Sequence, residues 1–164
     1  SQPPPPPARI RPLALAVLLF RDHLLFAEGR DPVKGETFFR ALGGEVEFGE
    51  RAAEAAVREV SEETGHAVRV VADLGVVENL FTYQGAPGHE VCFEYVCAFE
   101  AGAEPGDLEP VVCVEGSARF TARWLPLAEV LAAAHRVYPD GLPERLAGWV
   151  NALAAEPSEE PPGG

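Results

Sequence analysis

The sequence predicts an α/β domain of the α+β kind, in which a mixed β-sheet packs against a few helices. Apolar or alternating runs of strand length recur along the chain, for example at residues 13–20 and 90–100. Residues 51–64 instead repeat apolar side chains every three or four positions, as an amphipathic helix does. Strands and helices alternate too irregularly for a doubly wound parallel sheet, and the sequence contains neither G-x-G-x-x-G after a strand nor G-x4-G-K-[ST].

The elements follow from turn residues between apolar runs. Strands are predicted at residues 13–20, 23–27, 37–42, 45–48, 67–74, 76–83, 90–100, 111–114 and 120–125. Gly75 between two of these runs indicates a bulge or bend. Loops are expected at residues 28–35, 84–89 and 101–110, which are rich in Gly, Pro and acidic residues. Helices are predicted at residues 51–64, 127–135 and 142–154.

The domain organisation is expected to be simple. Residues 1–9 are Pro-rich and predict a flexible leader, residues 10–154 predict one domain, and residues 155–164 predict a disordered acidic tail. The formal net charge is −13, with 26 acidic and 13 basic residues. Because polymeric phosphate requires a basic surface, this balance argues against a nucleic-acid polymer as the partner. We also expect no membrane partner, since no apolar run approaches the roughly 18 residues of a membrane span.

The three cysteines indicate a reducing compartment. Cys92, Cys97 and Cys113 form no C-x-x-C pair, and an odd, sparse set is a poor basis for disulfides or for a zinc site. They are expected to be small buried apolar residues of a cytoplasmic protein.

Three carboxylates crowd the C-terminal half of the helix predicted at residues 51–64. Glu59, Glu62 and Glu63 are spaced by three and four, so they share one helix face. Like charges destabilise a helix there, and the negative end of the helix dipole adds to the cost. Oxygen ligands on a rigid helix suit Mg²⁺ or Mn²⁺, so the cluster predicts a divalent-metal site.

The surrounding residues resemble the signature of the Nudix hydrolases, G-x5-E-x7-R-E-U-x-E-E-x-G-U, where U is a bulky apolar residue. The segment GEVEFGERAAEAAVREVSEETGH, residues 44–66, fits eight of the nine defined positions, and only His66 departs, at an apolar position. The resemblance implies a Nudix fold, with a mixed β-sheet sandwiched between α-helices and the signature forming a loop, a helix and a second loop.

The resemblance also implies a reaction and assigns roles to residues. Nudix enzymes cleave the pyrophosphate linkage of nucleoside diphosphates joined to another group, with Mg²⁺ or Mn²⁺ as cofactor. The family correspondence makes Glu59, Glu62 and Glu63 metal ligands and candidate bases. It places the carbonyl of Gly44 at the metal, and it makes Arg58 and Glu50 the pair that orients the carboxylates. A base outside the signature is an alternative; the candidates are Glu90, Glu94, Glu109 and Glu115, of which we favour Glu115.

The substrate pocket is predicted from fewer signals. Arg40 can meet phosphate, Phe39 and Tyr83 can stack on a base, and Glu115 can reach the substrate. Phe38 and Phe39 face opposite sides of a strand, so at most one of them stacks. Dinucleoside polyphosphate hydrolases of the family often have a tyrosine about seventeen residues past the signature, where Tyr83 lies.

A nucleoside triphosphate or a dinucleoside polyphosphate is therefore the favoured substrate, and ADP-ribose or a sugar nucleotide is the alternative. An alternative of another class is a catalytically silent nucleotide sensor. A homodimer is compatible with the resemblance.

Overall fold

The computed structural model describes residues 8–156, so the predictions for residues 1–7 and 157–164 lie outside the described residues. In chain order the strands are β1 (Ile10–Phe20), β2 (His23–Arg30), β3 (Thr37–Arg40), β4 (Leu42–Glu45), β5 (Val68–Tyr83), β6 (Ala86–Phe99), β7 (Val111–Glu115), β8 (Ala118–Pro126) and β9 (Val137–Tyr138), and the helices are α1 (Ala52–Thr64), α2 (Leu127–Leu131) and α3 (Leu142–Ala155). Among these residues no helix is both long and apolar enough to cross a bilayer.

The sheet is mixed, and its strands form two groups on either side of β1, which we call the wings. Strands β5 and β6 form one wing, and β2, β3 and β8 form the other. One edge of β1 pairs in parallel with β6, while its other edge pairs antiparallel with β2 through residues 18–20 and with β4 through residues 13–16. On the wing formed by β2, the strands β3 and β8 continue the pairing. Because β4 replaces β2 along the same edge of β1, strands β1 and β2 must part, which leaves a cleft between the wings.

Helices cover both faces of the sheet, which confirms the predicted sandwich. On one face, Ala55, Ala56 and Val60 of α1 pack against small residues of β1, among them Ala14 and Ala16. Small side chains on both sides let the helix approach the strand closely. On the other face, a second cluster joins the sheet to α2 and α3; its members include Val17, Leu24, Phe26, Val130, Leu142 and Leu146.

Helix α1 confirms the predicted helix to within one residue. The N–H of Arg51 donates to Oε2 of Glu54 (3.3 Å), which satisfies one donor at the helix start. The helix ends at Gly65, whose left-handed backbone (φ 76°) allows its N–H to donate to the Ser61 carbonyl at 2.9 Å. His66 follows with Nδ1 at 2.7 Å from the Ala103 carbonyl oxygen, so its ring ties the helix exit to the loop after β6.

The strand predicted at residues 45–48 is wrong, because the strand after β3 is β4, Leu42–Glu45. The two glycines in the middle of β4 had indicated the end of a strand. Gly43 instead adopts a φ of 146°, and a Cβ there would collide with the carbonyl oxygen of Ala14 on β1. Glycine therefore permits this close pairing rather than breaking the strand.

The long hairpin of β5 and β6 has a shorter turn than predicted. Only Gln84 and Gly85 form the turn, both with positive φ, and the rest of the loop predicted at residues 84–89 belongs to β6. The predicted irregularity at Gly75 is confirmed, since the register of β5 against β6 shifts next to it.

The second helix is also shorter than predicted. Helix α2 ends at Leu131, not at residue 135, and Ala133 has a left-handed φ of 56°. The chain must turn here so that Val137 and Tyr138 can pair with β3, and that pairing overrides the helix propensity of the alanine run. Helix α3 confirms the third predicted helix and extends through Ala155, the first residue of the predicted tail.

Candidate active site

Arg58 of α1 connects the loop before the helix to the acidic cluster. Its Nε and Nη2 donate to both carboxylate oxygens of Glu50 at 2.8 and 3.0 Å, and its Nη1 donates to Glu59 at 2.9 Å. Nη2 also reaches the carbonyl of Glu45 at 3.3 Å. The hydrogen bond from Arg58 is the main cause that lowers the pKa of Glu50, and the hydrogen bond from the Glu47 N–H is the second. In turn, Glu50 and Glu59 raise the pKa of Arg58. The bidentate pair with Glu50 holds the guanidinium in place, and its Nη1 then orients the Glu59 carboxylate.

Glu63 is a buried carboxylate with one unsatisfied oxygen. Its side chain is 4% exposed, and Oε2 accepts no hydrogen bond from the described residues. Burial is the main cause that raises its pKa to about 8, with the negative charges of Glu59, Glu115 and Glu62 adding to the effect. Because a buried charge without a partner is costly, the position is suited to a bound cation.

Gly44 lies directly against Glu59. A Cβ on Gly44 would be 2.6 and 2.7 Å from the two carboxylate oxygens of Glu59. The missing side chain therefore lets the β4 backbone approach the acidic cluster, as the signature requires. Glu62 is 62% exposed and lies 3.6 Å from Arg58. Within residues 8–156, no three acidic, histidine or cysteine side chains already converge on one point.

These observations fit a divalent cation. The donor set consists of hard carboxylate and carbonyl oxygens, which suit Mg²⁺ or Mn²⁺. The orphaned Glu63 oxygen supplies a ligand that nothing in the protein satisfies. Since a metal ion favours the ionised carboxylate, binding would also offset the electrostatic cost that raises the pKa of Glu63.

The space between the two wings is a cleft of about 990 Å³ that reaches the acidic cluster. Gly43, Gly44 and Glu63 line it at the cluster, and Glu115 and Glu90 lie on its wall. Its basic lining residues are Arg11, Arg30, Lys34, Arg40, Arg119 and Arg136, and its aromatic ones are Phe38, Phe81, Tyr83, Phe120 and Tyr138. Basic and aromatic side chains therefore surround the part of the cleft that Glu63 of the acidic cluster lines. The clustering of basic residues is local, since the chain as a whole carries a net charge of −13.

Three of the residues predicted to bind substrate, Arg40, Tyr83 and Glu115, line this cleft; their role in binding stays a prediction. Phe39 is a correction, because it is 7% exposed and packs in the core that joins the sheet to α2 and α3. Its neighbour Phe38 points the opposite way and lines the cleft. The two phenylalanines do face opposite sides, but the choice between them was wrong.

The candidate bases separate in the same way. Glu115 and Glu90 line the cleft, whereas Glu109 lies in the exposed loop before β7. Glu94 is fully buried and binds Arg145 of α3 at 2.5 and 2.9 Å. That ion pair faces the helices on the far side of the sheet from α1.

Several cleft residues carry no signal that sequence reasoning could use. Tyr138 belongs to the two-residue strand β9 and Arg136 directly precedes that strand. The guanidinium of Arg136 donates to the Tyr138 hydroxyl at 2.7 Å. Both fall between the helices predicted at residues 127–135 and 142–154, where the sequence predicts no strand. Only the pairing of β9 with β3 brings them to the cleft.

Comparison with known proteins agrees with this geometry. The model of the NUDIX domain family matches residues 10–144. The chain belongs to the Nudix family. It is 30% identical over 132 residues to the putative mutator protein MutT4 of Mycobacterium tuberculosis (strain CDC 1551 / Oshkosh), a match that covers 80% of this chain and 45% of that protein. The chain therefore spans less than half the length of that relative.

Solved structures of other Nudix proteins share the fold. A NUDIX hydrolase from Nitrosomonas europaea has a TM-score of 0.62 at 19% identity and covers 88% of this chain and 90% of its own. The MutT protein from Methanosarcina mazei Go1 has a TM-score of 0.59 at 16% identity, covering 89% and 96%. An ADP-ribose pyrophosphatase from Streptococcus suis 89-1591 has a TM-score of 0.56 at 16% identity, covering 90% and 94%. At these identities the likeness concerns the fold alone.

Proposed function

We propose that this Nudix protein is a divalent-metal-dependent pyrophosphohydrolase. Its substrate is a nucleoside diphosphate joined to another group, with a nucleoside triphosphate or a dinucleoside polyphosphate favoured. The observation that carries the proposal is the buried Oε2 of Glu63, which accepts no hydrogen bond from the described residues and belongs to a carboxylate that lines the cleft together with Gly44. A site of this kind needs a cation, and a pyrophosphate bridge brings further oxygens for one.

The residues divide the work between metal and proton transfer. Glu59, Glu62, Glu63 and the carbonyl of Gly44 would hold Mg²⁺ or Mn²⁺. When bound, the metal would polarise a phosphoryl group and lower the pKa of a coordinated water. Arg58 holds Glu59 in place and is itself held by Glu50.

Proton transfer is the proposed role of Glu115. Its charge contributes to the raised pKa of Glu63, which supports its position close to the cluster, and it lines the cleft. Glu115 would take a proton from the attacking water while the cleft holds the phosphates in line.

Recognition of the substrate is assigned to the remaining cleft residues. Arg40 and Arg30 would bind phosphate oxygens, and Phe38 and Tyr83 would contact a base, since all four line the cleft. ADP-ribose and sugar nucleotides belong in the test because one structure of the same fold is described as an ADP-ribose pyrophosphatase. A cytoplasmic location is supported by three free, buried cysteines. A homodimer stays a prediction from the resemblance.

The experiment is a panel of nucleotides with Mg²⁺ or Mn²⁺: nucleoside triphosphates, diadenosine polyphosphates, ADP-ribose and sugar nucleotides, with products identified. Glu63→Gln should lower release of nucleoside monophosphate by at least about 100-fold, the loss expected when a metal ligand is removed. Glu54→Gln, an exposed carboxylate of the same helix, is the matched control and should keep wild-type activity. Absence of turnover by the wild type across the panel would reject the enzyme and favour the nucleotide sensor.

A further inference from the structure

Two phenylalanine rings of the cleft lie flat over glycines of neighbouring strands. Phe38 on β3 is opposite Gly29 on β2, and Phe81 on β5 is opposite Gly88 on β6. A Cβ on Gly29 would be 2.5 Å from Cζ of Phe38 and 2.7 and 3.0 Å from its two Cε atoms. Because the Cε atoms are almost as close as Cζ, this position lies above the face of the ring and not beyond its edge.

Phe81 and Gly88 repeat this geometry. All three outer ring atoms of Phe81 lie within 2.8 Å of the position of a Cβ on Gly88. A ring that covers the backbone with one face has only its other face available to a ligand. Both rings line the cleft, so each offers it a flat apolar surface.

The two surfaces are on opposite wings of the sheet. Phe38 belongs to the wing of β2 and β3, and its ring meets that of Tyr138 edge-on, with centroids 5.8 Å apart. Phe81 belongs to the wing of β5 and β6, and it is 39% exposed. Strands β1 and β4 lie between them, and Gly44 of β4 lies against the Glu59 carboxylate of the acidic cluster. In the order of the strands, β6, β1 and β2 separate the strand of Phe81 from that of Phe38, so the two rings lie on opposite sides of the acidic cluster.

We propose that Phe81, supported by Gly88, is a second stacking platform, so that the protein binds nucleotides that carry a planar ring at both ends of a polyphosphate chain. The inference rests on the proposed function and narrows its substrate to a dinucleoside polyphosphate. Stacking on a phenylalanine accepts any base, because every base has a π-face. Arg11 and Arg40 also line the cleft, where they can contact the phosphates between the rings.

Covering a strand glycine with an aromatic ring also stabilises sheets without any ligand, so the test must separate the two roles. Phe38→Leu and Phe81→Leu keep an apolar cover but remove the stack, and Phe81→Trp keeps the stack. Leu80→Ala is the matched control, because Leu80 is next in sequence, 67% exposed, and not part of the cleft lining. Thermal unfolding of each variant shows whether the hairpin is intact.

Affinity is measured by calorimetry with ATP and with diadenosine tetraphosphate, both as methylene-bridged analogues that resist hydrolysis. Phe38→Leu and Phe81→Leu should each weaken the two-ring nucleotide about tenfold, which is the loss of one stacked base. ATP should respond to only one of the two variants, since its single ring occupies one platform. Phe81→Trp and Leu80→Ala should bind as the wild type does.

The platform at Phe81 is rejected if Phe81→Leu binds the two-ring analogue with wild-type affinity. It is also rejected if Phe81→Leu and Leu80→Ala weaken both nucleotides equally, which would indicate a role in folding alone. The proposed hydrolase activity is tested separately, by turnover. If the wild type binds the two-ring nucleotide but hydrolyses no nucleotide, the proposed activity is rejected and the stacking platform is supported.

Discussion

Replacing Glu63 by glutamine should stabilise the metal-free protein in alkaline solution. The glutamine is nearly the same size, but it brings no charge into a position that is 4% exposed and lies among other carboxylates. In the folded wild type the pKa of Glu63 is raised from 4.5 to about 8. Below pH 4.5 the carboxyl is protonated in both states, so wild type and variant should be equally stable there.

The stability difference between wild type and Glu63→Gln develops as the pH rises from 4.5 to about 8. The unfolded chain releases the proton near pH 4.5 while the folded protein retains it until about pH 8, so the free energy of unfolding of the wild type falls between these values. At about 1.36 kcal/mol per pH unit, the loss is at most about 5 kcal/mol. Relaxation of neighbouring groups reduces it; about 3 kcal/mol corresponds to roughly 6–12 °C in Tm for a domain of this size.

Thermal unfolding in EDTA at pH 4 and pH 9 measures this effect. Glu63→Gln should match the wild type at pH 4 and exceed its Tm at pH 9, whereas the exposed control Glu54→Gln should follow the wild type at both. Added Mg²⁺ at 100 times Kd should raise the free energy of unfolding of the wild type by about 2.7 kcal/mol, and its Tm accordingly. The stabilisation of Glu63→Gln by Mg²⁺ should be much smaller. A variant that is less stable than the wild type at pH 9 in EDTA would refute the reasoning.

Two further substitutions test other contacts. Gly44→Ala should lower Mn²⁺ affinity, measured by calorimetry, at least about tenfold, because its Cβ would displace the Glu59 carboxylate. Gly148→Ala is the control and should leave the affinity unchanged, because a Cβ at that position meets nothing within 4 Å. Arg145→Ala should cost roughly 3–5 kcal/mol in urea unfolding, because it leaves the fully buried Glu94 without its partner. An equal loss of metal affinity in both glycine variants, or unchanged stability of Arg145→Ala, would contradict these assignments.

Local sequence predicts the acidic helix well because its determinants are local. One short segment contains all of these determinants: the apolar period of three and four residues, the glycine at the helix end and the spacing of Arg58 from Glu50. The structure has the helix, the left-handed Gly65 and the contact between Arg58 and Glu50. Strands β1, β2, β7 and β8 were likewise close to prediction, since each is an apolar run bounded by turn residues.

The cleft depends on distant strands, and there prediction fails. The register of the four-residue strand β3 against β2 decides whether Phe38 or Phe39 lines the cleft, and two adjacent phenylalanines in a sequence do not reveal it. Gly43 and Gly88 look like chain breakers, yet both lie within strands, because a carbonyl oxygen or a ring occupies the space of their missing side chains. Arg136 reaches the cleft only because β9 pairs with β3, and these two strands are about a hundred residues apart in sequence.

The placement of the acidic helix on the sheet has one further consequence. Helix α1 packs on the face of β1 that carries Ala14 and Ala16, while the cleft lies on the face with Leu13 and Leu15. Glu63 reaches the cleft beside the side-chain-free backbone of β4. The three carboxylates of the acidic cluster lie on helix α1, whereas the cleft lining comes mainly from the strands, so the two are built on different layers of the molecule. A designer could exchange the aromatic and basic residues that line the cleft while leaving helix α1 and its acidic cluster untouched.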